Sequence, residues 1–257
     1  MKVLKFKLWG NTAFFKKPEV NSYIYFTYGN IHKIALLGMF GAILGYDGYN
    51  KFRYNLDNDK NYKEKYPEFY TKLKDIKIAI EPLNKNGFIS KKVQVFNNSV
   101  GYASQEAGGN LIVKEQWLES PSWNIYVLLD SEESNKICDY ISNYKCIYQP
   151  YLGKNDHYAN IGEVKIYEED EVKIYEEKSI DEIYKIHSLC KKKNVEFDID
   201  EDDEEEDFFK YSEKLPIALS EVTNMYELES FVYSNMMVES IDSKNVYKIG
   251  NKNIAFF

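Results

Sequence analysis

The chain has few cysteines and none of the familiar metal or nucleotide signatures. Its three cysteines, Cys138, Cys146 and Cys190, are odd in number and lack the spacing of zinc ligands. No Gly-Lys-Ser/Thr sequence follows a glycine-rich stretch, and neither a dinucleotide fingerprint nor a nucleophile elbow occurs. We therefore expect no metal, no cofactor and no disulfide, as is usual in a reducing cytoplasm.

Long apolar runs are also missing. The best one, residues 34–44, is too short to span a membrane and is interrupted by glycines. The first residues, MKVLKFKLWG, do not resemble a secretory leader. Hydrophobic residues make up 44% of the chain, which is enough for a core and excludes global disorder. We predict a folded cytoplasmic protein that makes no membrane contact.

The net charge of −8 argues against a nucleic-acid partner only until its distribution is considered. Residues 196–207 hold ten acidic side chains and no basic one. Without this run, 31 acidic and 33 basic residues remain, a net charge of +2. The acidic run is predicted to be a solvated loop, and the rest of the chain is mildly basic.

The hydrophobic patterns predict an α+β fold. Residues 34–44 and 132–143 have helical patterns, and alternating or apolar runs typical of strands occur around residues 6–8 and at 76–81, 91–97, 111–117, 123–129 and 147–152. The order is strand, helix, strand, inserted hairpin, strand, helix, strand. It predicts a ferredoxin-like βαββαβ palm over residues 1–152, with a protruding hairpin thumb, or arm, at about 88–120.

The remaining residues, 153–257, are predicted to form a β-rich extension. The repeated sequence VKIYEE at 164–169 and 172–177 predicts a small hairpin. A helix is expected from residue 180 to about 192, with Ile183, Ile186 and Leu189 facing inward. Strands are expected within 208–219, 226–238 and 246–257.

Three glycines, Gly38, Gly41 and Gly45, share one face of the first helix. Each weakens a helix by roughly 1 kcal/mol relative to alanine, so something must approach this face closely. Tight packing against another element is one explanation, and a cradle for nucleic acid is the other.

Two polar loops carry residue types that bind phosphates and bases. The candidate RNA contacts are Lys16, Lys17, Asn21, Ser22, His32, Lys33, Lys154, Asn155 and His157. On the arm, Lys92, Lys114 and Trp117 are candidates for contact with RNA or a partner chain.

The same residues leave a catalytic alternative open. A metal-independent RNA cleavage site needs a general base, an acid and a cation near the scissile phosphate. His32 or His157, with Lys154 and a tyrosine, supplies these groups. Because no acid-base pair is fixed by spacing, binding without a catalytic residue is the preferred interpretation.

Three segments resemble CRISPR-associated family five, the RAMP-superfamily subunit of Cascade. The first comprises residues 6–10, 13–18, 21–22 and 35–45 (FKLWG, AFFKKP, NS and ALLGMFGAILG), the second is YLGKNDH at 151–157 followed by ANI at 159–161, and the third is the Leu-Pro pair at 215–216. The resemblance is nearest to the type I-B branch.

The resemblance implies a RAMP palm with a hairpin thumb in a ribonucleoprotein complex of antiviral defence. Its implied partners are the 5′ handle of the CRISPR RNA, the Cascade backbone subunit and the large subunit that reads the PAM, with target DNA near the PAM as a further candidate. It usually implies no catalysis. In one branch the equivalent subunit cuts precursor RNA with Tyr, Lys and His, which keeps an endoribonuclease as the alternative.

Overall fold

The computed structural model describes residues 1–19, 23–175, 183–198 and 207–257. The helices of these residues are α1 (Lys33–Leu44), α2 (Tyr49–Asn58), α3 (Glu68–Leu73) and α4 (Glu132–Ser142). The strands are β1 (Lys2–Trp9), β2 (Thr12–Ala13), β3 (Ile78–Pro82), β4 (Lys91–Asn97), β5 (Ile112–Glu119), β6 (Ser122–Leu129), β7 (Asn160–Tyr167), β8 (Val172–Ile174), β9 (Cys190–Lys191), β10 (Val195–Phe197), β11 (Lys210–Leu219), β12 (Tyr226–Ser234), β13 (Val238–Ile241), β14 (Val246–Ile249) and β15 (Lys252–Ala255).

A four-stranded antiparallel sheet, in the order β3-β6-β1-β7, forms the centre of the molecule. Alternate residues of β1, namely Leu4, Phe6 and Leu8, are fully buried and belong to the same core as the apolar residues of α1 and α4. The α+β class predicted from the sequence is therefore confirmed, and the element order βαββαβ is present with α2, α3 and a hairpin as insertions.

The opposite face of the sheet is covered by the C-terminal part of the chain. Val3, Ala79 and Leu128 are buried there in one cluster with Tyr247 and Ile254. Tyr247 and Ile254 lie on β14 and β15, which form a small antiparallel sheet with β8. The β-rich extension predicted beyond residue 153 thus supplies a second layer over the sheet.

The fourth strand of the central sheet was predicted in the wrong place. Residues 147–152 were expected to form it, but Tyr151 makes only an isolated bridge to Tyr158. The fourth strand is β7, which pairs with β1 from Trp9↔Asn160 onward. The central sheet consequently includes residues 160–167, while the domain boundary after residue 152 stays a prediction.

Two further local predictions were wrong. In the described residues the first VKIYEE segment lies on β7, which pairs with β1, and the second on β8, which pairs with β14; no ladder joins β7 to β8. The described part of the predicted helix, 183–192, forms no α-helix. Ile183, Ile186 and Leu189 are nevertheless buried, and the N–H of Leu189 donates to the carbonyl of Ile80 at 2.8 Å. Hydrogen bonds to neighbouring strands here replace those of a helix.

The glycine face of α1 is explained by packing. A Cβ on Gly41 would lie 2.5 Å from the Cβ of Phe69 on α3. Gly45 ends the helix in a left-handed conformation (φ 80°), with Ile147 against it. Gly38 has open space at its Cβ position. The packing interpretation therefore holds for Gly41 and Gly45, and no cradle for nucleic acid exists at either.

The predicted arm is present as the hairpin β4–β5. Its strands pair from Lys91↔Leu118 to Asn97↔Ile112, and β2 adds to the base of β5. Among the described residues, no helix combines the length and the apolar character that crossing a bilayer requires.

Candidate functional site

Three segments meet at the base of the arm: residues 14–19 and 23–31, here called the N-terminal loop, the 151–159 loop, and strand β5. The N–H of Tyr25 donates to the carbonyl of Lys114 at 2.9 Å, and the N–H of Gln116 donates to the carbonyl of Tyr25 at 2.9 Å. The N–H of Phe14 donates to the carbonyl of Leu152 at 3.1 Å. The two loops that carry the predicted RNA contacts therefore lie together beside the arm.

The backbone conformation of Gly153 allows the 151–159 loop to pass close to the N-terminal loop. Gly153 has a φ of 87°, and a Cβ at this position would collide with the carbonyl oxygen of Phe14. Only glycine combines a positive φ with so close a neighbour.

The buried carboxylate of Glu115 links the arm to the 151–159 loop. It accepts a hydrogen bond from the indole nitrogen of Trp117 at 2.8 Å and pairs with the ammonium group of Lys154 at 3.2 Å. Lys154 also lies 3.3 Å from Asp156 and above the ring of Phe96. Lys154 is thus already paired with two carboxylates, and any phosphate must compete with both.

A second carboxylate, Glu213 on β11, holds the N-terminal loop. Both of its oxygens lie 2.9 Å from the N–H of Gly29, and the hydroxyl of Tyr211 donates to it at 2.7 Å. The ammonium group of Lys17 is 3.4 Å away. Partial burial lowers the pKa of Lys91, with Glu213 opposing this effect and Lys17 adding to it. Lys17 therefore helps to fix its own loop.

Two lysines at this junction, Lys16 and Lys114, have no carboxylate within ion-pair distance among the described residues. The ammonium group of Lys16 lies 3.9 Å above the ring of Tyr25, and the side chain is exposed. Lys114 is exposed and lies opposite Val95 in the arm. Asn155 is also exposed, in the neighbouring loop. These three side chains are the ones most available to an anionic strand.

His32 and Lys33 do not offer the surface contacts predicted for them. His32 is 2% exposed, and its Nδ1 accepts a hydrogen bond from the N–H of Ala35 at 3.2 Å, which caps α1. Burial lowers the pKa of His32 to about 3. Lys33 is 8% exposed and donates to the carbonyl of Phe257 at 3.3 Å; burial lowers its pKa to about 8, with Lys191 adding to the effect.

His157 is likewise buried rather than exposed on its loop. Its Nδ1 forms a hydrogen bond of 2.7 Å with the hydroxyl of Thr12. Its ring is perpendicular to that of Trp117, with 4.6 Å between the ring centroids. Burial lowers the pKa of His157 although the charge of Asp156 opposes this. The neutral imidazole packs the base of the arm, so it does not present a charge to a phosphate.

The arm residues divide between its two faces. Trp117 packs against His157 of the 151–159 loop and is half-buried, so its contact with RNA or a partner chain stays a prediction. Lys92 pairs with Glu119 at 3.5 Å. The outer face instead exposes Val93, Val95 and Ile112, each more than half accessible, and Lys114 lies among them, opposite Val95. Exposed apolar side chains grouped in this way are typical of a surface that another chain covers.

Sequence reasoning missed three residues that organise the junction: Tyr25, Glu115 and Glu213. Tyr25 was one tyrosine among 23, and neither glutamate had a local signal of burial. The alternation of β5 does place Glu115 on the face of Trp117, which is the one available hint. The predicted contacts Asn21 and Ser22 lie outside the described residues.

The junction brings lysines, carboxylates and an amide together beside aromatic rings. Within the described ranges, no group of His, Cys, Asp and Glu side chains has the arrangement of a metal site. The two histidines of the predicted site are buried, and both have lowered pKa values. Among the described residues, the exposed groups include the cations Lys16 and Lys114 and the amide of Asn155, together with the carboxylates of Glu19 and Asp156.

The fold resembles that of one chain of a CRISPR complex. No family model matches the sequence, and no curated protein matches it. A chain of a CRISPR RNA-guided surveillance complex superposes with a TM-score of 0.53 at 12% identity, over 92% of this chain and 91% of that chain. A CRISPR protein from Archaeoglobus fulgidus has a TM-score of 0.45 at 12% identity, over 99% and 98%. The first similarity shows a shared fold across nearly the whole chain.

Proposed function

We propose that this chain is the RNA-binding subunit of a CRISPR surveillance complex of the type I-B Cascade kind. It holds the 5′ handle of the CRISPR RNA and bridges the backbone subunits to the large subunit that reads the PAM. The observation that carries the proposal is the junction at which the N-terminal loop, the arm and the 151–159 loop meet, with exposed Lys16 on the loop and exposed Lys114 on the arm.

The electrostatics of the junction support a single strand of RNA as its ligand. Lys16 and Lys114 supply cations that are free of carboxylate partners among the described residues, and Asn155 supplies an exposed amide. Lys17 and Lys154 add positive charge, although Glu213 and Glu115 partly neutralise it. Phosphate contacts from such side chains make binding strongly dependent on salt.

The arm supports contact with another subunit. Its outer face exposes Val93, Val95 and Ile112 on one side of the hairpin. A partner that covers these side chains would remove their apolar surface from water, which is favourable. The shared fold with a chain of a surveillance complex is consistent with a role inside such an assembly.

We propose a non-catalytic role. A nuclease of the metal-independent kind needs a histidine or a comparable group that can reach the scissile phosphate. His32 and His157 are each 2% exposed and are engaged with Ala35 and Thr12. Incubation of the purified chain with repeat RNA and EDTA tests this point, and cleavage at one site would instead favour the endoribonuclease.

The central experiment compares two triple variants in the co-expressed complex. Lys16→Ala, Lys17→Ala and Lys114→Ala together remove charge from the junction. Lys145→Ala, Lys244→Ala and Lys248→Ala remove the same charge from exposed positions outside it. The first variant should lose CRISPR RNA during purification, and the second should retain it. Photo-crosslinking from thiouridine in the handle should label the wild-type chain.

Two results would refute the proposal. One is equal retention of CRISPR RNA by both triple variants. The other is a complex in which no position of the handle crosslinks to this chain.

A further inference from the structure

A cleft of about 490 Å³ opens beside Lys16. It is lined by Lys16 and Pro18 of the N-terminal loop, Tyr49 at the start of α2, and Asn224, Met225 and Tyr226 at the turn between β11 and β12. Its volume lies within the range of roughly 300 to 1,000 Å³ that is usual for small-ligand sites. None of the sequence motifs pointed to this place.

The lining has the chemistry of a site for a flat aromatic ring attached to an anion. Two tyrosines and a methionine supply apolar and π surfaces, and Tyr49 and Met225 are 38% and 62% exposed. Among the described lining residues the one cation is Lys16, whose ammonium group lies over the ring of Tyr25. Methionine beside aromatic rings adapts readily to a planar ligand.

The aromatic walls are held in place by their neighbours. The ring of Tyr226 packs edge-on against the ring of His32, with 5.4 Å between the centroids. The ring of Tyr49 packs in the same way against Phe69, with 6.1 Å between the centroids. Burial raises the pKa of Tyr226, and the charge of Glu19 adds to this effect. Lys16 is the cation that the described lining offers to an anionic group.

We infer that this cleft receives one unstacked nucleobase of the bound RNA strand, while the adjoining phosphate lies on Lys16. The inference rests on the proposed function and adds to it a base-binding subsite formed by α2 and the β11–β12 turn. Stacking on aromatic side chains accepts any base, because every base has a π face. The cleft therefore fixes the path of the strand rather than its sequence.

The test combines an abasic scan of the RNA with a matched pair of protein variants. Synthetic handle RNAs, each lacking one base, are titrated against the purified full chain. Tyr49→Leu removes a ring from the cleft. Tyr54→Leu removes a ring that is 60% exposed on the same helix but outside the cleft. Tyr49→Phe keeps the ring and serves as the rescue variant, and circular dichroism checks that all variants fold.

In the wild type, one abasic position should weaken binding by about tenfold, as expected for the loss of one stacked base. In Tyr49→Leu the same abasic RNA should bind no worse than the intact RNA. In Tyr54→Leu and Tyr49→Phe the tenfold difference should remain.

Other outcomes overturn the inference in distinguishable ways. RNA binding in which no abasic position depends on Tyr49 removes the subsite but leaves the proposed function standing. Loss of a partner subunit from the complex in Tyr49→Leu, with RNA binding unchanged, would show that the cleft receives a protein side chain. No RNA binding by the wild-type chain or its complex would refute the proposed function and the inference with it.

Discussion

Glu115 on the arm and Lys154 on the 151–159 loop form an ion pair of 3.2 Å whose carboxylate is buried. The pair joins two segments that are 39 residues apart. It changes the interpretation of Lys154, which the sequence presented as a free cation. In the folded chain this lysine is first a structural contact at the base of the arm, and its availability to a phosphate depends on Glu115.

Removing the Glu115 carboxylate should destabilise the chain. Glu115→Ala leaves the indole N–H of Trp117 and the ammonium group of Lys154 without this acceptor, and we expect a loss of about 1–3 kcal/mol in the free energy of unfolding. Urea denaturation of the purified chain measures it. The control is Glu119→Ala, whose partner Lys92 is solvent-accessible, and it should cost less than about 1 kcal/mol. Equal losses in both variants would contradict the structural role of Glu115.

The two glycines of α1 should respond to alanine in opposite directions. Gly41→Ala introduces a methyl group 2.5 Å from the Cβ of Phe69, so it should destabilise by roughly 1–3 kcal/mol. Gly38→Ala adds a methyl group where there is open space and should stabilise by up to about 1 kcal/mol. Thermal unfolding of the isolated chain distinguishes them, and a stable Gly41→Ala variant would show that α1 and α3 do not pack as described.

The free energy of unfolding should fall in acid because His32 is buried in its neutral form. Its pKa is about 3 in the folded chain and about 6.5 when unfolded, so between these values only the unfolded chain binds the proton. The contribution of neutral His32 to the free energy of unfolding is fully present above pH 6.5. It is lost as the pH falls towards 3, by about 1.4 kcal/mol per pH unit. His32→Asn keeps a capping side chain without the titration. The difference in unfolding free energy between wild type and variant should follow this window, and parallel pH profiles would contradict it.

The salt dependence of RNA binding should report the phosphate contacts of Lys16 and Lys114. Each contact to a single strand contributes about 0.7 to the slope of log affinity against log salt. Lys16→Ala with Lys114→Ala should therefore lower the magnitude of the slope by about 1.4. Lys33→Ala should leave the slope unchanged, because Lys33 is buried. A slope that is the same in all three proteins would remove these lysines from the interface.

The outer face of the arm should be needed for assembly but not for folding. Val93→Thr with Val95→Thr keeps the shape of two exposed side chains and reduces their apolar surface. We expect the unfolding free energy to change little, while a co-expressed neighbouring subunit is recovered several-fold less. Ile174→Thr, an exposed residue on β8, is the control. Unchanged recovery with the arm variant would assign another role to this face.

Local patterns predicted the elements better than their partners. The alternation of Leu4, Phe6 and Leu8 defined a core strand because side chains of a strand alternate between its faces. The spacing of Ile183, Ile186 and Leu189 correctly indicated burial but wrongly indicated a helix, since β3 and β15 supply hydrogen bonds to this segment. A hydrophobic spacing reports which residues avoid water, and the backbone conformation depends on which neighbours can bond to it.

The sequence by itself determined the α+β class, the glycine-rich buried helix and the hairpin arm, because each follows from residues close together in the chain. Only the tertiary structure decided which charged groups are free. Lys17 is paired through Glu213, Lys154 through Glu115, and His157 is buried beside Trp117. Ion pairing and burial depend on segments far apart in sequence, and they set both the charge and the exposure that a binding site requires.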